Sequence, residues 1–431
     1  MSLGLMCVII LGTMVLLMVM GIEVAVSIGI AAGLGLLLFV DQPLNQFAFS
    51  AWGVLNSFTL TAVPLFVFMG AIFANTGTIE ALFIGARKLF GFLPGGLISA
   101  VIGANAVFGA MSGSTIAAAA TFGKIAFPEM ERLGYNPRLV LGSMAVATTL
   151  SALIPPSIIL IVYGDLRIVS VPRLFAGGIV PGAILASALI LTTIVLVRIN
   201  PSLTPGVVKT TWGEKLTALK QVTPFALVIL LVLGSIFAGI MTPTESSSLG
   251  AFLSIVIALA YRRMSFLALK QSMLTAAKIT AMIAFLLFTA TVMSIVFHHI
   301  GLVEKFSELM LGLPFGKYGI FAVVCVAYLI LGMFFDSISM MVLTFPVITP
   351  LINSLGFDPL WFGVVYVVLA EIGCVTPPFG LNLFALQSVV PKYDIMVIAL
   401  GALPYLVPTL LLVVLLTAFP QLILWLPSLL Y

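Results

Sequence analysis

Charge is what this chain of 431 residues has least of: Asp, Glu, Lys and Arg together make up 7%. A water-soluble globular protein carries roughly 25%, so the composition excludes a soluble domain, a coiled coil and a disordered chain. Cysteine is equally scarce. Cys7, Cys325 and Cys374 stand far apart with no CxxC pair, which excludes a disulfide scaffold. Histidine occurs only as the neighbours His298 and His299, which point to different sides of a helix, so a metal centre has almost no ligands to draw on. No HExxH, no Walker GxxxxGK[ST] and no Ser/His/Asp set is present, which argues against an enzyme and excludes an ATPase within the chain. The net charge of +4 comes from basic residues scattered singly between apolar runs, which is no footprint of nucleic-acid binding.

Apolar residues make up 62% of the chain. At ~20 residues per bilayer crossing, that length allows roughly ten to fourteen membrane segments. The expectation is an all-α polytopic membrane protein. The run Met1–Gly21 has neither a basic n-region nor a cleavage pattern, so it reads as a first span rather than a removed signal.

The chain repeats itself. LGYNP at Leu133–Pro137 returns as LGFDP at Leu355–Pro359, an offset of 222. Pro155–Pro156 returns as Pro377–Pro378, Pro128 as Pro350, Glu23 as Glu245 and Gly12 as Gly234, all at the same offset. Two copies of one unit follow, residues 1–205 and 223–431, joined by a polar linker at 206–222 that includes Lys209, Glu214, Lys215 and Lys220. Each copy is expected to hold three spans (3–20, 24–40 and 54–76 in the first), then a hairpin, a broken span and a last span. The hairpins fall at 94–128 and 318–350, the broken spans at 138–168 and 360–391. The hairpin arms, at ~1.5 Å per residue, are too short for a ~30 Å hydrocarbon core and read as re-entrant. Five crossings per copy is an odd number, so the second copy is inverted. With the N-terminus outside, only Arg167, Arg173, Lys305 and Lys317 of the 18 Lys and Arg fall outside. That obeys the positive-inside rule, with the first hairpin opening to the cytoplasm and the second to the outside. The stretches 77–92 and 301–316 read as helices lying in the interface.

Irregular backbone at membrane depth is tolerated only when buried in protein or lining a polar cavity. Proline lacks the N–H that a helix donates four residues back. Pro155 and Pro156 therefore free the carbonyls of Ser151 and Ala152, and Pro377 and Pro378 free those of Gly373 and Cys374. Unpaired carbonyls beside short hydroxyls suit a small hard cation, and half-helix N-termini suit a carboxylate. The hairpin tips add Ser112, Gly113, Ser114 and Thr115 in the first copy, and Gly332, Asp336, Ser337 and Ser339 in the second. Asp336 aligns with Ser114; an acid at this depth points to cation binding, with helix capping as its structural alternative. Glu371 reads as a coupling residue or a structural hydrogen-bond partner. Asn382 reads as a donor to a substrate carboxylate or as an interhelical hydrogen bond. Thr115, Ser337 and Ser339 are further substrate candidates. Glu23 and Glu245 read as helix-end caps.

SGSTIAAAATFGKIAFPEM (112–130), LIPPSIILIVYG (153–164), GIMTPTESSSLGA (239–251) and TPPFGLNLFALQ (375–386) together resemble the large membrane subunit of TRAP (tripartite ATP-independent periplasmic) transporters. The likeness runs through essentially the whole chain. It implies two inverted repeats of an elevator-type carrier in a bacterial or archaeal inner membrane. It implies uptake of an organic acid such as a C4-dicarboxylate or sialic acid, coupled to Na⁺ with no other cofactor. It implies two partners: a small four-helix membrane subunit, here expected as a separate chain, and a periplasmic substrate-binding protein. Carried over by position, one Na⁺ site uses Ser112, Ser114, Ser151, Ile154 and Pro156. The other uses Gly332, Gly373, Thr376 and Phe379, with Asp336 beside it. Ser151 stands where the family leads one to expect glycine. The rival readings are a Na⁺/dicarboxylate symporter of related elevator fold that needs no binding protein, and a channel.

Overall fold

The repeated pentapeptide is a helix stop followed by a helix start. Gly134 and Gly356 take left-handed backbone angles (φ +86° and +69°) that end the preceding helix without a Cβ penalty. Two residues on, Asn136 accepts a hydrogen bond from the Leu139 N–H at 3.3 Å, and Asp358 accepts from the Leu360 and Trp361 N–H groups at 2.7 and 3.1 Å. Pro137 and Pro359 then occupy the first helical position, where a missing N–H costs nothing.

The computed structural model describes residues 2–40, 43–205 and 211–431. Met1, residues 41–42 and residues 206–210, Lys209 among them, lie outside the described residues. The first half runs α1 (Leu3–Val19), α2 (Val24–Phe39), α3 (Pro43–Leu55), α4 (Ala62–Asn75), α5 (Ile79–Phe90), α6 (Gly96–Ser112), α7 (Thr115–Ile125) and α8 (Phe127–Arg132). It continues through α9 (Pro137–Ala147), α10 (Leu150–Leu153), α11 (Ile158–Arg167) and α12 (Val171–Ile199). The second half runs α13 (Trp212–Phe237), α14 (Pro243–Ala260), α15 (Phe266–His299), α16 (Leu302–Leu311), α17 (Lys317–Gly332) and α18 (Ser337–Ser354). It ends with α19 (Pro359–Cys374), α20 (Leu381–Val389), α21 (Ile395–Ala418) and α22 (Gln421–Leu430). No strand occurs among the described residues.

Shifted by 222, α2 falls on α14, α5 on α16, α6 on α17, α9–α10 on α19, α11 on α20 and α12 on α21. The copies differ where their sequences do. α15 is one helix of 34 residues, whereas its counterpart is bent by 53° between Leu55 and Thr59. The span expected at 54–76 thus begins earlier, at Pro43, and contains a break. The linker expectation also needs correction: Trp212 onward is helix, because Thr211 and Glu214 form a reciprocal capping box. Six helices are long and apolar enough to cross a membrane, or eight if each bent pair counts as one span. The chain is an all-α polytopic membrane protein.

Two groups of helices pack among themselves. In the first, α1, α2, α4 and α5 meet α13, α14 and α15. Close approaches at Gly29 against Thr289 and Gly250 against Met69 leave no room for a Cβ. In the second, hairpins α6–α7 and α17–α18 pack with α9–α12 and α19–α21. The copies interlock here: Gly123 on α7 lies against Leu386 and Val389 of α20, while the Tyr163 ring on α11 meets Phe345 of α18 edge-on at 5.4 Å.

Candidate functional site

Each hairpin tip rests on the proline break of its own copy. At the first tip Gly113 is left-handed (φ +58°), and a Cβ there would lie 3.1 Å from the Ile158 nitrogen and 3.2 Å from the Pro156 carbonyl oxygen. One turn earlier, a Cβ on Gly109 would lie 2.5 Å from the Ser151 Cα. At the second tip Gly332 and Gly373 press backbone to backbone, a Cβ on Gly373 falling 2.5 Å from the Gly332 Cα. The Gly380 N–H donates to the Met333 carbonyl at 3.2 Å. The breaks carry cis peptides at Pro155–Pro156 and Pro377–Pro378. Ser112, Ser114, Ser151, Ile154 and Pro156 therefore share one corner of the fold, and Gly332, Asp336, Gly373, Thr376 and Phe379 another.

The carbonyl accounting holds for the first break and needs correction at the second. Ile154 N–H donates to Leu150 at 2.8 Å, and Pro155 has no N–H to offer Ser151. Gly373, by contrast, is engaged: Thr376 N–H folds back onto its carbonyl at 3.0 Å, leaving one oxygen lone pair. The Thr376 hydroxyl likewise donates to Ile372 at 2.6 Å. The Ser151 hydroxyl is fully buried and has no hydrogen-bond partner among the described residues. A buried polar atom without a partner is costly, so this one suits a ligand at the first corner.

The tips are also helix starts. Ser114 caps α7, accepting from the Ala117 N–H at 3.3 Å. Its counterpart Asp336 caps α18, accepting from the Ile338 and Ser339 N–H groups at 3.0 Å each through Oδ1, while Oδ2 accepts from the Ser339 hydroxyl. Capping is thus the observed role of Asp336, and Ser339 is spent on it.

Ser337 and Asn382 both donate to Glu371. The Ser337 hydroxyl donates to Glu371 Oε1 at 2.8 Å and the Asn382 amide to Oε2 at 3.3 Å, with all three side chains buried. The Tyr366 hydroxyl donates to the Ser337 carbonyl at 2.5 Å. Asn382 thus makes the interhelical hydrogen bond and keeps a second amide N–H, and among the described residues no cation pairs with Glu371. Thr115 is half-buried at its tip. Phe379 is 48% exposed, its ring 5.1 Å from that of Phe334. Of the two expected caps, Glu245 forms a capping box with Thr242, whereas Glu23 precedes α2 without a side-chain bond.

Beside the first tip lies a cavity of about 540 Å³ between α4, α7 and the start of α15. Ser112 and Ser114 line its inner end, with Asn75, Thr121 and Lys124 farther out. The residues 67–77 and 275–279 that complete it come from the other helix group and escaped the sequence reading. Gly70 was their one signal: a Cβ there would lie 2.5 Å from the Ser112 Cα.

Residues 11–422 match the family model of the tripartite ATP-independent periplasmic transporter, DctM component. The chain is 31% identical to the C4-dicarboxylate TRAP transporter large permease protein DctM of Vibrio cholerae serotype O1, over 96% of each chain. It is 32% identical to the protein of the same description from Pseudomonas aeruginosa, over 93% of this chain and 94% of that one. An isethionate TRAP transporter permease protein DctMQ of Oleidesulfovibrio alaskensis is 31% identical over 88% of this chain and 60% of its own length. In fold the chain is similar to the Alcanivorax borkumensis YdaH transporter, whose crystal structure is described as having an unusual topology. The TM-score is 0.62 at 17% identity, over 89% of this chain and 90% of that one. A multi-pass inner-membrane protein and not an enzyme, the chain belongs to the DctM family, the large permease component of the TRAP transporters.

Proposed function

We propose that this chain is the translocating subunit of a Na⁺-coupled importer of an organic acid, a C4-dicarboxylate, a sialic acid or a similar carboxylate. A periplasmic binding protein delivers the acid, and a small membrane subunit joins the group of α1, α2, α4, α5 and α13–α15 as the scaffold. In this reading the two copies are inverted, with ten crossings and the N-terminus outside. Na⁺ binds at the two tip-and-break corners. The hairpin group then carries ion and substrate across as one body against the scaffold. The observation that carries the reading is the pairing of two hairpin tips with two proline breaks, one pair per copy. One pair holds a buried hydroxyl without a partner among the described residues and lies beside a cavity that reaches Lys124. Two Na⁺ with one monoanion move one net positive charge inward, and each charge moved is worth about 2.3 kcal/mol per 100 mV.

The test is uptake into proteoliposomes holding both membrane subunits. Uptake is expected only with the binding protein outside and an inward Na⁺ gradient. Equal uptake without the binding protein favours the independent symporter, and flux that never saturates favours a channel.

A further inference from the structure

A second cavity, of about 300 Å³, lies between the last turns of α15, the second arm α18 and the end of α11. It is the repeat mate of the cavity at the first tip. Shifted by 222, Thr76, Ala120 and Lys124 of the first become His298, Val342 and Pro346 of the second, and all six line their cavities. The mate has lost the lysine and gained Arg167 from α11.

Two groups there lack what buried groups normally have. The Arg167 Nε is buried with no acceptor among the described residues. Its Nη2 donates to the Asn353 side-chain Oδ1 at 3.4 Å, the guanidinium also meets the Tyr163 hydroxyl, and among the described residues it forms no ion pair. The nearby acid in sequence, Asp165, is turned to the Ser57 hydroxyl at 2.5 Å. Thr349 is 2% exposed, and its hydroxyl has no partner among the described residues. Thr291 and Thr344 show the usual alternative, donating to the carbonyl four residues back at 2.8 Å. Both residues line the one cavity, and each keeps an unpaired donor just behind its wall; a small side-chain rotation turns these donors toward an oxyanion, since the planar fork of arginine matches a carboxylate or phosphate. The volume sits at the lower end of small-ligand pockets, roughly 300–1,000 Å³.

We propose that Arg167 and Thr349 form an oxyanion-binding site distinct from the hairpin tips, on the membrane face where α11 ends. Its ligand is a carboxylate or phosphate group, carried by a small soluble acid or by a lipid headgroup. Only its assignment to the outer face rests on the topology proposed above.

The test uses the full chain with its small subunit in phosphatidylcholine nanodiscs and Na⁺-free choline buffer. Calorimetric titration with succinate and with inorganic phosphate is compared with native mass spectrometry after reconstitution with phosphatidylglycerol. Wild type is expected to bind at least one of these three saturably. Arg167→Gln should weaken that binding by about tenfold or more, and Thr349→Val by about fivefold. Arg167→Lys should retain part of it, which controls for folding, and Arg173→Gln should leave it unchanged, which controls for surface charge. Retention of phosphatidylglycerol alone, lost in Arg167→Gln, identifies a headgroup as the ligand; succinate or phosphate binding identifies a soluble acid. No binding of any probe, or equal binding by wild type and Arg167→Gln, overturns the site. Loss of Na⁺-driven uptake with this binding intact would count against the transport reading alone.

Discussion

The Ser337 hydroxyl donates to Oε1 of Glu371 at 2.8 Å, tying the tip of the second hairpin to the broken helix beneath it. Asn382 holds the other carboxylate oxygen, so three segments 34 and 11 residues apart meet on one buried acid. The first copy has no such bolt. Its counterparts of Ser337, Glu371 and Asn382 are Thr115, Thr149 and Leu160, and Thr149 simply donates to Val146 at 2.7 Å.

Removing the acid should loosen the second tip. Glu371→Leu strands the Ser337 hydroxyl and the Asn382 amide, each at a cost of about 1–3 kcal/mol. The expected outcome is a lower melting temperature in detergent and loss of uptake. Glu371→Gln, which still accepts from Ser337, should recover most of the stability. Equal melting temperatures for all three proteins would show that the bolt carries no weight.

Asp336 can be separated into its cap and its charge. Asp336→Ala should cost about 1 kcal/mol by uncapping α18. Asp336→Ser keeps a good cap, as Ser114 shows at the equivalent position, and removes the charge. If the charge helps hold Na⁺, Asp336→Ser should melt like wild type yet need at least about tenfold more Na⁺ for half-maximal uptake. An unchanged Na⁺ dependence would leave Asp336 as a cap only.

Ser151 makes the opposite prediction for stability. Its hydroxyl is buried without a partner among the described residues, so Ser151→Ala should leave the Na⁺-free protein as stable or more so. The loss should show in Na⁺ affinity, weakened by about fivefold for one ligand of this strength. A fall in stability with Na⁺ affinity unchanged would remove the hydroxyl from the first ion site.

The helix after the first hairpin, α8, is fastened to the turn between α20 and α21. Lys392 and Tyr393 donate to Glu131 at 2.6 and 2.5 Å, and these bonds hold the Glu131 carboxyl below the usual carboxylate range. A depressed carboxyl contributes its stability above its unfolded pKa and loses it as pH falls through the folded value. The fastening should therefore be intact at neutral pH and fail only in acid. Because the group is exposed, Glu131→Gln should change neutral-pH stability by no more than about 0.5 kcal/mol. A larger shift in melting temperature at pH 7 would contradict this.

Much of the fold was legible because it was written twice. The 222-residue offset and the Gly–x–Asn/Asp–Pro punctuation are local signals, and they mark the starts of α9 and α19 and the two proline breaks. Capping was legible for Asp336 as one of two roles, because an acid before a polar helix start carries its own explanation. What stayed hidden depends on contacts between residues far apart in the chain. Nothing near Ser337 names Glu371 as its partner, and nothing near Ser57 names Asp165, 108 residues away. The engaged Gly373 carbonyl was missed for another reason. Counting missing proline N–H groups ignores the tightening by which a helix end pairs three residues back instead of four.

The most direct measurement is equilibrium binding of radioactive ²²Na⁺ to the full chain assembled with its small subunit. Saturable binding is expected, reduced by Asp336→Ser at one tip and by Ser151→Ala at the other, with both variants still folded. Absence of saturable Na⁺ binding by the folded wild-type assembly, or binding unaffected by either substitution, would contradict the account.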